Sequence, residues 1–516
     1  MFKSKAITNF ICNYTGLFVG IILFFIMLLL PGNLIPANAG KMAAIALLMA
    51  VWWVTEAIPI PVTALLPIVL YPLLKIMNAS SVTINYAHHL VFLFLGGFII
   101  ALAIERWGLH KRIALHIIQI IGNNQKKIIL GFMVATAFLS MWISNTATAM
   151  MMLPIAMAIV TQIDTREASS ISENRAGKFG MVLMLAIAYS ASIGGITTLI
   201  GTPPNIVFAG ILKSNFPHAP EISFIQWMLF TLPLTLVFLP LAWFYLVYIA
   251  VPLTKEDKDF GQKAFIKQEL AKLGPLSGQE VKVLTIFITT AFLWIFRTDI
   301  QLGSVTIPGW TDFFGLNKFV HDSTVAVSMA VLTFIIPAGK NKSNKLQYLM
   351  NWEYVKKIPW GILLLFGGGF ALADGFQQSG LTEWLGNQLS GLNHLPLILI
   401  LIIVCITTTF TTEFTSNTAI ATAILPVIAG LAIALQLNPL ILMLPVTISC
   451  STAFMLPVAT PPNAIVFGSG YIQIKDMARI GLIMNLIGLI LVIVLVYINS
   501  ASLFDIHWNE MPVWVK

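Results

Sequence analysis

Four short stretches of this 516-residue chain set small polar side chains in the middle of otherwise apolar sequence. Ser144-Asn145-Thr146-Ala147 recurs as Ser416-Asn417-Thr418-Ala419, and Gly201-Thr202-Pro203-Pro204-Asn205 recurs as Ala459-Thr460-Pro461-Pro462-Asn463. Hydroxyl and amide oxygens, together with helix-end carbonyls, are what a hard cation such as sodium takes as ligands. Two consecutive prolines remove backbone donors and break a helix, which frees carbonyl and N–H groups for a ligand. A single Ser-Asn-Thr in a membrane protein ordinarily does no more than hydrogen-bond between helices. A set repeated in order is a different matter, and it directs attention to the elements that must carry it.

Those elements lie in lipid. The chain is 58% hydrophobic and 10% charged, with mean hydropathy +0.88, whereas a soluble domain is about a quarter charged. The net charge of +8 would suggest nucleic acid in a soluble protein, but here it reads as a topology signal, and no nucleic-acid partner is expected. Apolar stretches near 13–31, 41–55, 59–75, 90–105, 179–212, 224–251, 281–297, 320–338, 359–374, 438–472 and 479–499 give eleven crossings of a hydrocarbon core about 30 Å thick. Two further apolar stretches, 128–163 and 395–435, each carry a Ser-Asn-Thr cluster at their middle. A re-entrant hairpin needs that pattern, because its non-helical tip must be shielded from lipid. The expected fold is an all-α polytopic membrane protein of about eleven transmembrane helices plus two re-entrant helical hairpins. Lys3 and Lys5 precede the first apolar run with no small-residue cleavage site after it, so that run is read as the first helix.

With the N-terminus cytoplasmic and the C-terminus external, 23 of the 29 Lys and Arg fall on the cytoplasmic side, as the positive-inside rule requires. In this topology the repeat is inverted. Gly96-Gly97-Phe98 answers to Gly368-Gly369-Phe370 at the same offset of 272 residues as the Ser-Asn-Thr clusters, yet the span holding Phe98 runs inward and the span holding Phe370 runs outward. Inverted repeats are a common construction of secondary transporters, with the site near the midplane where discontinuous elements meet. The first hairpin then opens from the cytoplasm and the second from outside.

The stretches SNTATAMMMLPI, IGTPPNIVFAG, TEFTSNTAIATAILPV and ATPPNAIVFGSG resemble the divalent anion/sodium symporter family, which includes sodium-coupled dicarboxylate, citrate and sulfate carriers. The resemblance covers nearly the whole chain. It implies a homodimer in the inner (plasma) membrane with a scaffold domain and a moving transport domain, working by elevator-like alternating access. On this chain the scaffold would be 1–127 and 282–394, the transport elements 128–251 and 395–516, with 252–281 a cytoplasmic connector. The family pattern implies two sodium sites. One would use Ser140, Ser144, Asn145 and the carbonyl of Gly201; the other Thr412, Ser416, Asn417 and the carbonyl of Ala459. Ser140 and Thr412 match by spacing, since each precedes its cluster serine by four residues and shares its helix face. A small dianion such as succinate, malate or fumarate would meet Asn145, Thr146, Asn417 and Thr418, with Thr202-Pro203 and Thr460-Pro461 closing the pocket. An anion exchanger of the same fold, or a sulfate or citrate symporter, is the alternative, although an exchanger could dispense with the Ser140 and Thr412 hydroxyls.

The charge pattern bears on coupling. No Lys or Arg occurs from 128 to 164 or from 358 to 474, the stretches that hold both hairpins and the second break. An uncompensated dianion in such a site would cost tens of kcal/mol, and helix N-termini return only about 0.3–2 kcal/mol each. Sodium ions are then the expected source of positive charge. Glu413, three residues before Ser416, is either a proton carrier or a structural carboxylate; Glu56, Glu105 and Asp374 sit at span ends or turns. Cys12, Cys405 and Cys450 lack metal or redox spacing; His88 and His89 adjoin a loop, and the remaining histidines are scattered. No nucleophile elbow, HExxH or clustered His/Asp pair is present, so an enzyme is not expected.

Overall fold

The computed structural model describes residues 2–122, 124–167, 175–253, 262–302, 305–340, 344–389, 391, 394–508 and 510–515. The side chains of Lys3, Lys5, Cys12, Arg166, Arg175, Lys255, Lys258, Lys263, Lys342 and Lys516, used in the charge count and the cysteine reading, lie outside those described. Every expected span holds helix, from Phe2–Leu28 to Ile474–Phe504. Eight described helices are long and apolar enough to cross a membrane by length and composition, and shorter apolar helices such as Ile60–Leu73 and Asp322–Ile335 occupy further spans. Leu236, Ile249, Ile490 and Ile498 point outward, as lipid-facing side chains do.

Both hairpins form. The first pairs Gln125–Ser140 with Asn145–Glu167, and the second pairs Leu397–Thr412 with Asn417–Ala434. The spans 179–212 and 438–472 are each broken: Arg175–Gly195 resumes as Pro203–Asn215, and Pro439–Ser449 resumes as Pro461–Phe467. In both, the paired prolines occupy the first positions of the new helix, where a missing N–H costs nothing. Side-chain caps start the other elements, including capping boxes at Ser223 with Gln226 and Ser277 with Glu280.

The repeat extends beyond the motifs. Leu109–Ile121, before the first hairpin, and Leu381–Leu389, before the second, begin 272 residues apart and are short amphipathic helices that the span-by-span reading passes over. Two antiparallel ribbons, Ile300–Leu302 with Val305–Ile307 and Pro337–Lys340 with Leu346–Tyr348, were also not foreseen, because strands this short carry no readable period. The glycines of the third repeated motif have a packing role. A side chain at Gly96 would lie 2.6 Å from the Ala326 backbone, and one at Gly368 would lie 2.4 Å from the Ala64 carbonyl oxygen, so both positions allow helices to touch backbone to backbone.

The packing crosses the halves. Pro203–Asn215 of the first half lies against Asn417–Ala434 of the second, and Pro461–Phe467 of the second lies against Asn145–Glu167 of the first. Separately, His89–Arg106, Gly278–Ile295 and Asp322–Ile335 pack on one another.

Candidate functional site

At the first hairpin tip the helix ends on Ser140, which is buried. Its hydroxyl donates to the Ala191 carbonyl at 2.7 Å and meets the Asn145 amide at 2.5 Å. The same amide atom lies 3.2 Å from Ala191 O and 3.3 Å from Gly201 O. The two ends of an amide fit the same space, so two chemistries are available here. With nitrogen inward, Asn145 donates to the surrounding oxygens; with oxygen inward, four oxygens converge around the single proton of the Ser140 hydroxyl, a set suited to a cation. Gly195 makes room for this amide, since a β-carbon there would sit 2.4 Å from Asn145 Oδ1. Ser144 Oγ accepts from the Ala147 amide and caps the second arm.

The second tip repeats the arrangement. Thr412 Oγ1 donates to Asn417 Oδ1 at 2.7 Å and to the Cys450 carbonyl at 3.0 Å, and Ser416 is the residue at which the helix Asn417–Ala434 starts. The breaks are held alike in both halves. Asn205 Nδ2 donates to the carbonyls of Gly195, Ile196 and Thr198, and Asn463 Nδ2 donates to those of Ala453 and Leu456. Each asparagine thus ties the unwound strand before it to the helix that follows. Thr460 Oγ1 additionally caps the Asn463 amide.

The tips and breaks enclose a cavity of about 590 Å³. Ser144, Asn145, Thr146, Gly201, Thr202, Pro203, Ser416, Asn417, Thr418, Ala459, Thr460 and Pro461 line it, and Ser140 and Thr412 lie buried behind their asparagines. All fourteen residues singled out in the sequence therefore come together at one place. The N-termini of Asn145–Glu167, Pro203–Asn215, Asn417–Ala434 and Pro461–Phe467 all begin at its wall. Each such end carries about half a positive charge, the surroundings an anion needs; the two hairpin helices add the N–H groups of their first turns, whereas the other two begin on paired prolines, which have none, and act through the helix dipole. Among the described lining residues Glu56 is the sole formal charge, and it terminates the helix Ala37–Thr55 in a left-handed conformation at φ 49°. An adjoining cavity of about 370 Å³ shares Ser144 and Thr146 and reaches Glu105 and Lys357. A third cavity, of about 740 Å³, lies apart, between the end of the Phe224–Phe244 segment and the start of Ile474–Phe504.

Several residues at the site were not foreseen. The carbonyls of Ala191 and Cys450 take part through backbone atoms, which leave no mark on residue type. Asn205 and Asn463 stand inside the quoted motifs, and their type was itself the available signal. Glu413 accepts from the amides of Phe454, Met455 and Leu456 at 2.8–3.1 Å and from Asn485 Nδ2 at 2.7 Å. Every contact is one a carboxylate makes as acceptor, so it anchors the second break to the hairpin and to the last helix. Cys405 and Cys450 are buried and unpaired. The histidines are not all dispersed: the rings of His88 and His89 are 4.3 Å apart and those of His89 and His321 4.8 Å.

Residues 12–504 match the family model described as the sodium:sulfate symporter transmembrane region. The chain is 46% identical over 499 residues to the sodium-dependent dicarboxylate transporter SdcS of Staphylococcus aureus strain NCTC 8325, covering 96% of this chain and 92% of the relative; SdcS of strain MRSA252 aligns equally. Among solved structures, the fold is similar to Alcanivorax borkumensis YdaH, a transporter (TM-score 0.54, 13% identity, 82% of this chain and 88% of the other), and to Neisseria gonorrhoeae MtrF, of a class of antimetabolite efflux pumps (TM-score 0.53, 12% identity, 84% and 86%).

Proposed function

Because the chain belongs to the sodium:sulfate symporter family, we propose that it is a secondary transporter coupling sodium ions to the import of a C4-dicarboxylate such as succinate, malate or fumarate. It is a carrier and not an enzyme. The observation that carries the substrate class is the wall of the 590 Å³ cavity, where four helix N-termini and eight hydroxyl or amide side chains meet beside the backbone of Gly201 and Ala459, with no lysine or arginine among the described lining residues. A four-carbon dianion spans the two tips, one carboxylate against Asn145 and Thr146 and the other against Asn417 and Thr418, with Thr202-Pro203 and Thr460-Pro461 at the sides.

Two sodium ions supply the missing positive charge. One is held by Ser140, Ser144, Asn145 and the Gly201 carbonyl, the other by Thr412, Ser416, Asn417 and the Ala459 carbonyl. Each contributes roughly 3 kcal/mol per unit of substrate charge at ~6 Å and an effective dielectric of ~20. By linkage, an ion that raises anion affinity has its own affinity raised equally. Sodium oriented toward the Asn145 oxygen also turns the amide nitrogen outward to the carboxylate, so that one side chain couples the two ligands. Two ions per dianion make the cycle electroneutral, and a third would add about 2.3 kcal/mol of drive per 100 mV.

The protein sits in the inner membrane as a homodimer with its N-terminus cytoplasmic, and the hairpins and broken segments of 128–251 and 395–516 slide as a transport domain against the scaffold of 1–127 and 282–394. The cavity reaches Glu56 and the adjoining cavity reaches Glu105 and Lys357, which in this topology are the cytoplasmic ends of their spans, so this arrangement is inward-open. Uptake of labelled succinate into proteoliposomes tests the function: it is expected with an inward sodium gradient and lost in potassium or choline. Equal uptake in all three would sink the sodium coupling.

A further inference from the structure

On the side of the membrane opposite the cavity mouth, the molecule carries a charged cluster that the transport reaction does not use. Arg297, 2% exposed, follows the helix Gly278–Ile295 and donates from Nε to Asp322 Oδ1 at 2.5 Å and from Nη2 to Glu221 Oε1 at 2.8 Å. Glu221 Oε2 meets His321 Nδ1 at 3.1 Å, and Asp322 Oδ2 accepts from the Phe224 amide at 2.9 Å. His321 stacks on His89, at the far end of the helix His89–Arg106 from Glu105, and the His88 ring lies tilted against His89. Lys213 donates to the Ala219 carbonyl on the same side.

These partners belong to two different groups of helices. Arg297, His321, Asp322 and His89 stand on the mutually packed helices Gly278–Ile295, Asp322–Ile335 and His89–Arg106. Glu221 and Phe224 lie between Pro203–Asn215 and Phe224–Phe244, which pack on the hairpins and on the last helix. The bonds from Glu221 and the Phe224 amide therefore cross from one group to the other. Beside them, Phe224 stacks on Trp294 at 4.8 Å and on Trp142 of the first hairpin tip at 5.8 Å, continuing the same junction toward the cavity.

We propose that Glu221, bonded to Arg297 and His321, is an external latch that holds the two helix groups together in the inward-open arrangement, and that the charge on His321 makes its release depend on external pH. This rests on the alternating-access reading above, in which the first group is scaffold and the second is transport domain. For the cavity to open outward the groups must slide past each other, and these bonds then break.

The groups facing His321 decide the direction. Its hydrogen bond to Glu221 raises its affinity for a proton, while Arg297 and burial oppose this and Asp322 adds to it. For Glu221, burial pushes the carboxyl upward, but the bond to His321 and the charge of Arg297 outweigh it and leave it below its ordinary value. Among the described residues, His89, with His88 behind it, and Lys213 are the further titratable neighbours of the cluster. A histidine whose folded pKa is raised contributes fully below its ordinary value and loses that contribution as pH climbs through the raised one. Acid outside thus tightens the latch, and alkali loosens it.

The test reads the conformation directly. In a background without native cysteines, Met150→Cys, on the wall of the 370 Å³ cavity, is labelled by an impermeant maleimide from the cytoplasmic side of oriented vesicles, with internal pH fixed and external pH varied from about 6 to about 9. Labelling is expected to fall on the order of fivefold as external pH rises. Glu221→Gln should label slowly at every pH, and His321→Arg, a fixed cation, should label fast at every pH. If the parent responds to sodium and succinate while Glu221→Gln matches it throughout the pH range, the latch is wrong. If His321→Arg keeps the parent's pH dependence, the histidine is not the sensor and the proposal fails. A parent whose labelling ignores sodium and succinate overturns the alternating-access reading, and the latch with it.

Discussion

The two halves of the transporter build the same site with different materials. In the first, the hairpin and the broken segment touch through glycine: a side chain at Gly194 would lie 2.3 Å from the Ala137 carbonyl oxygen, and Gly195 seats the Asn145 amide. In the second, the residues 258 positions on are Thr452 and Ala453, and Thr452 meets Thr409, the counterpart of Ala137, hydroxyl to hydroxyl at 3.4 Å. The unwound strands differ too. Thr198 reaches across with one hydroxyl to the Met141 carbonyl, whereas at the matching positions Leu456 gives its backbone amide to the Glu413 carboxylate. Glu413 also takes the amides of Phe454 and Met455, so one charged side chain gathers three donors that the second break leaves free. The lesson is that inverted symmetry constrains the polar side chains at the cavity and leaves their support free to vary. Asparagine stands at both tips and both breaks, while the packing behind them ranges from bare backbone contact to a buried carboxylate.

The largest effect should come where the halves agree. Asn145→Ala and Asn417→Ala are expected to abolish sodium-dependent succinate uptake and to impair binding of both ligands. Asn145→Asp and Asn417→Asp keep the oxygen but lose the donor and add repulsion, so anion binding at saturating sodium should be lost while sodium binding alone survives. Isothermal titration of each variant with each ligand checks this. Either asparagine tolerating alanine with both affinities unchanged would show its half to be structural only.

Next comes a change that should separate the halves. Gly195→Ala drives a methyl into the Asn145 amide and is expected to weaken sodium binding at least tenfold, an effect of about 1.4 kcal/mol, because the neighbouring backbone cannot retreat in a close-packed interior. Ala453→Gly, at the matching position of the second half, should change sodium affinity little. If the two variants behave alike, the halves share one tolerance and the difference in packing has no consequence.

The supports give the smallest effects. Glu413→Gln removes the charge and aims one NH2 at groups that are all donors, and it should cost about 2–3 kcal/mol of stability. Thr198→Val in the first half removes one neutral hydrogen bond and should cost about 1 kcal/mol. Thermal unfolding in detergent ranks them. A Glu413→Gln protein as stable as Thr198→Val would mean that the carboxylate is not the anchor its bonds suggest, and a proton-coupled role would then merit testing by uptake against external pH.

Read alone, the sequence was enough for the membrane class, the spans, the hairpins and the residues that gather at the cavity. Each is written in a local signal: long apolar runs, polar clusters inside them, paired prolines, and an ordered repetition at fixed offset. Inversion was legible as well, since charge alternates across loops. Tertiary structure decided what local signals cannot hold. The half-helix after each break lies against the hairpin of the other half, and this crossing, invisible along either repeat, brings the two clusters to one cavity. Carbonyls of Ala191 and Cys450 join the site only because a neighbouring helix ends beside them, and backbone atoms are the same in every residue. Glu413 could be read from sequence as a proton carrier or as a support, and only its five bonds from the second break and the last helix distinguish them. Glu221, Arg297 and His321 are separated by 76 and 24 positions along the chain, so nothing short of the folded packing of several helices could place them in one cluster.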